Sequence, residues 1–274
     1  VQRLYRQSHT LCTCKALAEF TTTQIAFAQE KELISLKKDL LEHLSCLLKH
    51  SDITNQEKNS FYLKQTLTSI DLAKQEKSME NYDQTIKYYK IALKGIPLLE
   101  KEEQELLMPK MHSAIGKCAV TIGTEKEIDG KFTQAIKSYD EAIQYGNPFA
   151  LYCKARTLLK NNNSKQNWQL IEQLLLQHVK TNDTHDVKAL SHDKLGALYY
   201  NANNLIPAFL HLKQAADFGN FSSTQALIKL CFDGIPEFLE PNKKLGMHYI
   251  HKAIKAGNNI AHTYFLLSRA YNCY

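Results

Sequence analysis

Apolar residues near the start of the chain recur at three- and four-residue steps. Leu33, Leu36, Leu40, Leu44, Leu47 and Leu48 trace one stripe, which predicts a helix from about Gln29 to His50 with one face turned to a core. An earlier helix is expected over Leu11–Phe27, broken or merely weakened at Thr21-Thr22-Thr23 because β-branched side chains lose rotamer freedom in a helix. Ser51, Asp52 and Asn55 read as a loop, and the next helix opens near Gln56. From Gly116 to Pro148 the pattern changes. Ala119, Ile122 and Gly123 precede a polar turn at Asp129-Gly130, and Phe132, Ala135, Ile136, Tyr139, Ala142 and Ile143 follow it up to a stop at Gly146-Asn147-Pro148. Small Gly123, Ala135 and Ala142 let two antiparallel helices approach closely, while Ile122, Phe132, Ile136 and Tyr139 fill the seam. Such a hairpin keeps an apolar face that only a neighbour can bury.

The hairpin recurs. A shift of 50 residues back superposes Tyr82 on Phe132, Thr85-Ile86 on Ala135-Ile136, Tyr89 on Tyr139 and Ala92-Leu93 on Ala142-Ile143, with Pro97 closing the unit. A shift of 73 forward superposes Ala208 on Ala135, Leu212 on Tyr139, Ala215-Ala216 on Ala142-Ile143 and Gly219-Asn220 on Gly146-Asn147, and a further 38 brings Ala253-Ile254 and Gly257-Asn258 into line. Agreement among four units at fixed equivalences is the mark of a repeat array. Glu100 to Ile115 contains no Gly and is expected to lengthen the opening helix of the central repeat, with Pro109 near its start or kinking it. A degenerate unit follows, with an opening helix over Phe149–Lys160, a turn at Asn161 to Ser164, a return helix over Trp168–Val179 and a polar loop from Thr181 to Asp186. In the last full unit Pro236 to Asn242 is an insertion in the turn, and Leu267, Ser268, Ala270 and Tyr271 start a half repeat.

The central pattern resembles the tetratricopeptide repeat. From Val187 onward, Ala189, Leu195-Gly196, Leu198-Tyr199, Ala208, Leu212, Ala215-Ala216 and Gly219 resemble instead the related Sel1-like repeat, which has longer and more variable turns. The resemblance implies an all-α, right-handed α-solenoid of antiparallel helix hairpins. Residues 1–65 would form an N-terminal helical cap, 66–183 tetratricopeptide-like repeats with a long helix near 100–127, and 184–274 Sel1-like repeats ending in the half repeat.

Composition agrees with a helical array. At 44% hydrophobic and 23% charged, the 274 residues can build a large core, and 10 Gly with 6 Pro are too few for a strand-rich fold with many turns. No apolar run approaches the ~20 residues of a membrane span. The chain opens at Val1 without a charged-then-apolar leader, as expected of a fragment whose targeting signals lie outside it. Its seven cysteines are an odd number scattered along the sequence, which predicts free thiols in a reducing, cytoplasmic setting. A net charge of +6 is too diffuse to imply nucleic acid and favours an acidic partner.

Candidate chemistry is sparse. No phosphate-binding loop, nucleophile elbow, zinc-protease or kinase motif is present, so neither enzymatic activity nor a cofactor is expected. Cys12-Thr-Cys14 lacks a second pair at finger spacing and reads as ordinary thiols, so no metal site is expected. His185-Asp186 and His192-Asp193 read as solvated residues at a helix start, and His248 and His251 as surface residues.

The resemblance also implies that opening helices line a concave groove and that the residue after each Leu-Gly position points into it. Those residues are Lys74, Thr124, Arg156, Ala197, Lys229 and Arg269; four of the six are basic, against 34 Lys and Arg in 274 residues overall. One turn away lie Lys77, Tyr152, Lys160, Tyr200, Phe232 and Phe265. Cations beside aromatic anchors suit an acidic or phosphorylated peptide. The carboxylate clamp by which some tetratricopeptide proteins grip heat-shock chaperone tails is not matched, since its positions hold Ile70, Lys74, Thr121, Phe149 and Cys153. The reading that results is a non-catalytic adaptor or scaffold for a protein or peptide partner. The competing readings are a regulatory region of an enzyme whose catalytic domain lies outside this stretch, and an architectural subunit of a complex.

Overall fold

A computed structural model describes residues 11–27, 30–161 and 167–257. Twelve α-helices occupy the described residues: α1 Leu11–Phe27, α2 Glu30–Leu47, α3 Asn55–Ser78, α4 Tyr82–Gly95, α5 Lys101–Ile128, α6 Phe132–Gln144, α7 Phe149–Lys160, α8 Trp168–Val179, α9 His185–Asn201, α10 Leu205–Asp217, α11 Phe221–Asp233 and α12 Lys243–Lys255. A 3₁₀ turn at Ile96–Leu98, carrying Pro97, joins α4 to α5. Extended pairing among the described residues is limited to one bridge between Ile235 and Leu239, in the turn where the insertion was expected. The fold is all-α.

Contacts divide the chain into two compact units, residues 1–129 with 141–147 and residues 130–140 with 148–274, so the division runs through α6. In the first unit α1 packs on α2, α2 on α3, α3 on α4 and α4 on α5. In the second, each helix from α7 to α12 packs on the next. Each unit is a short solenoid of antiparallel hairpins. The boundary expected at residue 65 falls inside α3, and that at 183 in the loop before α9.

The positions superposed by the repeat are those that carry the cores. Thr85, Ala135 and Ala208 are fully buried, as are Ala92, Ala142 and Ala215, and the bulky position between them holds buried Tyr89, Tyr139 and Leu212. The hairpin turns share a backbone state as well as a spacing: Glu80, Gly130 and Asn203 have φ of 61°, 74° and 57°. At the hairpin ends, Gly146 (φ 75°) and Gly219 (φ 90°) donate to the carbonyls of Ile143 and Ala216 at 2.9 and 3.1 Å, and Asn147 and Asn220 to those of Ala142 and Ala215 at 2.9 Å. This left-handed stop satisfies carbonyls that the helix end would otherwise leave bare.

The N-terminal hairpin has a small core of Cys14, Ala18, Leu40, Leu44, Leu47 and Ile53, with Phe61 of α3 against it. The threonine triplet does not break α1. Thr21, Thr22 and Thr23 donate to the carbonyls of Leu17, Ala18 and Glu19 at 2.8, 2.6 and 3.0 Å, which keeps their hydroxyls inside the helical pattern. Thr54 and Glu57 close a capping box on α3. From α2, Lys38 reaches the buried carboxylate of Glu76 on α3 at 2.7 Å. Burial pushes the Glu76 pKa up, but Lys38 and the Asn81 amide together outweigh it and hold the carboxyl below its ordinary value.

Helix α5 is 28 residues long and contains Pro109. Its buried side chains begin at Met111 and continue through Ile115, Gly116, Cys118, Ala119, Ile122, Gly123 and Glu127. Before the proline, residues 101–108 are exposed or half-buried, and Leu106 is open to solvent. Gln104 ties the start of this segment to the 3₁₀ turn by donating to the carbonyls of Leu99 and Pro97 at 2.8 and 3.2 Å.

Candidate functional site

In the second unit α9 touches both α7 and α11, so the three opening helices lie side by side as one row. A hydrogen bond from Ser223 on α11 to the Asp193 carboxylate on α9, at 2.7 Å, fixes two members of the row, and Lys194 pairs with the same carboxylate at 3.0 Å. Lys229 of α11 is exposed and its ammonium lies 5.9 Å from the centre of the half-buried Tyr200 ring on α9. A hydrogen bond with Tyr200, and beyond it the charge of Asp233, push the Lys229 pKa up. Both residues were expected in the groove, and the fold brings them together from different helices. On α7, Lys160 is exposed and Arg156 is half-buried.

Other expected groove residues are placed differently. Tyr152 is buried, its ring stacked on Phe149 at 5.6 Å with the Arg156 guanidinium 5.6 Å away, so it packs the interior instead of offering a surface. Phe232 lies over Gly246 of α12, where a Cβ would come within 2.9 Å of the ring; it fills the seam of its own hairpin. Lys74 and Lys77 are exposed on α3, in the first unit, where the Lys77 charge is felt by Cys118 of α5. Thr124 is half-buried and donates to the Val120 carbonyl at 2.9 Å, and Ala197 is exposed. Phe265, Arg269 and the expected half repeat lie outside the described residues.

A buried polar cluster between α8, α9 and α10 corrects the reading of His192 as a solvated residue. Nδ1 of His192 lies 2.9 Å from Nδ1 of His211, and the His211 ring stacks on Tyr199 at 5.6 Å and 7°. Tyr199 donates a short hydrogen bond to Glu172, and Trp168 meets its ring edge-on. Beside it, at the α9 residue just before His192, His178 of α8 is fully buried between Ser191 Oγ at 2.8 Å and Asp183 at 2.9 Å. Burial, then the neighbouring His211, lower the His192 pKa to about 4. Burial likewise lowers those of His178 and His211, more than Asp183 and Glu172 restore. His185, two turns before His192, is exposed and stacks on Phe218 at 4.9 Å. Seven residues apart, the two share a face of α9, but by His192 that face has turned beneath neighbouring helices. A signal for it stood in the sequence, since His192 lies three residues from Ala189 and three from Leu195, both buried.

Two shallow depressions follow return helices. One is lined by Gln169, Glu172 and Leu176 of α8 with Lys180 just past its end, the other by Ile86, Lys90 and Lys94 of α4 with Glu141. No described helix is long and apolar enough to cross a membrane.

The fold and this row of helices define an all-α helical-hairpin repeat protein. No protein-family model matches the sequence, and no curated protein does. Among solved structures, the crystal structure of a Sel1 repeat protein from Oxalobacter formigenes is similar over 90% of this chain and 97% of that one, with a TM-score of 0.41 and 14% sequence identity. The assignment to the repeat class rests on the chain's own internal repetition.

Proposed function

We propose that this chain is a non-catalytic scaffold that holds an acidic or phosphorylated peptide segment along its opening helices. One observation carries the reading: α7, α9 and α11 form a continuous row bearing Arg156, Lys160 and Lys229, with the Tyr200 ring beside Lys229. An extended segment laid across such a row meets one hairpin after another, and carboxylates or phosphates along it pair with the cations as it goes. The described cysteines are free thiols, which suits a reducing compartment such as the cytoplasm.

The test is fluorescence anisotropy with labelled acidic and phosphorylated peptides against a neutral peptide of equal length. Acidic peptides are expected to bind more tightly, with an affinity that falls as salt is raised. Lys229→Glu combined with Lys160→Glu should weaken them by at least about tenfold and leave the melting temperature in place. Equal affinity for neutral and acidic peptides, or indifference to the charge reversals, would remove the proposal.

A further inference from the structure

Far from that row, the N-terminal hairpin gathers three ligand-type side chains that no sequence motif connects. Cys14 stands in the first turn of α1 and Cys46 in the last turn of α2. Because the helices run antiparallel, beginning and end meet, and the two sulfurs lie 3.0 Å apart. Past the end of α2 the backbone keeps winding, with the Lys49 and His50 amides donating to the carbonyls of Cys46 and Leu47 at 3.1 and 3.0 Å. His50 therefore shares a face with Cys46, four residues back, and its Nε2 lies 3.9 Å from Cys14 Sγ. The ligating atoms of all three residues fall within 4.8 Å of one another. Cys12 takes no part: two residues from Cys14 on a helix it points elsewhere, and it is exposed.

We propose that Cys14, Cys46 and His50 form a binding site for a zinc-type divalent cation. Two thiolates and an imidazole are the donors such an ion prefers. Tetrahedral bonds of about 2.3 Å to sulfur and 2.0–2.1 Å to nitrogen place neighbouring ligand atoms roughly 3.5–3.8 Å apart. The observed 3.9 Å between Cys14 and His50 is close to that, and the sulfurs reach it from 3.0 Å by a small rotation of one side chain. A disulfide explains less of the arrangement. Both thiols are free, their separation exceeds the ~2.05 Å of a sulfur–sulfur bond, and a disulfide has no use for an imidazole on the same face. The apolar shell of Leu44, Leu47 and Ile53 would keep competing water from the buried side. Cys46 and His50 are half-buried, so three protein ligands leave the fourth position toward solvent, for a water molecule. The ion would fasten α1 to the end of α2, a clip on the N-terminal hairpin.

The experiment uses the whole chain, reduced and stripped of metal by a chelator. Titration with zinc against a chromophoric competitor is expected to find one ion per chain. Cobalt is expected to give a thiolate-to-metal charge-transfer band together with the visible bands of tetrahedral coordination. Cys14→Ser, Cys46→Ser and His50→Ala should each weaken binding by at least about tenfold, with Cys12→Ser and Cys118→Ala unchanged. Zinc should raise the melting temperature of the parent chain and, at the same concentration, raise that of His50→Ala by clearly less. His50 is at the surface end of the cluster, so this variant keeps the test open if Cys14→Ser fails to fold. Absence of stoichiometric binding, cobalt spectra without a thiolate band, or a His50→Ala affinity equal to the parent's would each overturn the site.

Discussion

Acid bears directly on the imidazoles His178, His192 and His211, which pack together inside the second unit. In an unfolded chain each titrates near 6.5, whereas in the fold all three are held lower, His192 at about 4. Above pH 6.5 neither state binds these protons and the fold keeps its full stability. Between about 6.5 and 4 the unfolded chain takes up protons that the folded chain refuses, so stability falls as acid is added; His192 alone contributes roughly 3 kcal/mol to that loss. Urea midpoints are expected to decline from about pH 6.5 downward, with a shallower decline in His192→Gln. A midpoint that stays level to pH 5 would contradict the account. Of the expected groove residues, Lys229 and Tyr200 come together because they stand one turn apart in register on neighbouring opening helices, a step that the long lysine side chain spans. Tyr152 and Phe232 were misread because an aromatic ring one turn away on such a helix can face the seam as readily as the open side, and periodicity does not separate the two. The Cys14, Cys46 and His50 cluster was invisible for another reason: its first two members are 32 residues apart, and only the antiparallel turn joins them.

Among elements, the turns and stops were the most legible. Offsets of 50 and 73 residues link Glu80, Gly130 and Asn203, and all three adopt the same left-handed backbone, although only one is glycine. Side-chain identity at the turn is thus secondary to its place in the count. Close helix approach is also written in the repeat. A Cβ at Gly196 would come within 2.6 Å of Leu212 Cγ and 3.2 Å of its backbone nitrogen. Gly196→Ala removes glycine's helix cost of about 1 kcal/mol, but forcing α9 and α10 apart costs about 1–3 kcal/mol. A net loss of about 1–2 kcal/mol is expected, read as a lower urea midpoint with an unchanged slope; a gain in stability would show that the helices yield. The threonine triplet illustrates the limit of propensity. Its hydroxyls bond to carbonyls one turn back, so α1 runs through a stretch where intrinsic preference alone predicts weakness.

At the scale of the molecule, the repeat spacing foretold an all-α array of hairpins, and the helix bounds of α7 and α8 agree with the expected ones to the residue. The grouping of hairpins into units was less accessible. A sequence reading places divisions where the flavour of the repeat changes, while compact units are defined by where contacts are dense, and one of those lines passes along α6. Helix α5 shows what the same reasoning yields about motion. None of the eight residues before Pro109 is buried, and Pro109, lacking an amide hydrogen, leaves a gap in the ladder just where the buried stretch begins. Once the Gln104 side chain lets go of the 3₁₀ turn, this overhang is expected to unwind ahead of the rest of the helix. Amide hydrogens from Gln104 to Met108 should exchange with deuterium at least about a hundredfold faster than those from Cys118 to Ile122, a gradient along one continuous helix that mass spectrometry of peptic fragments would resolve.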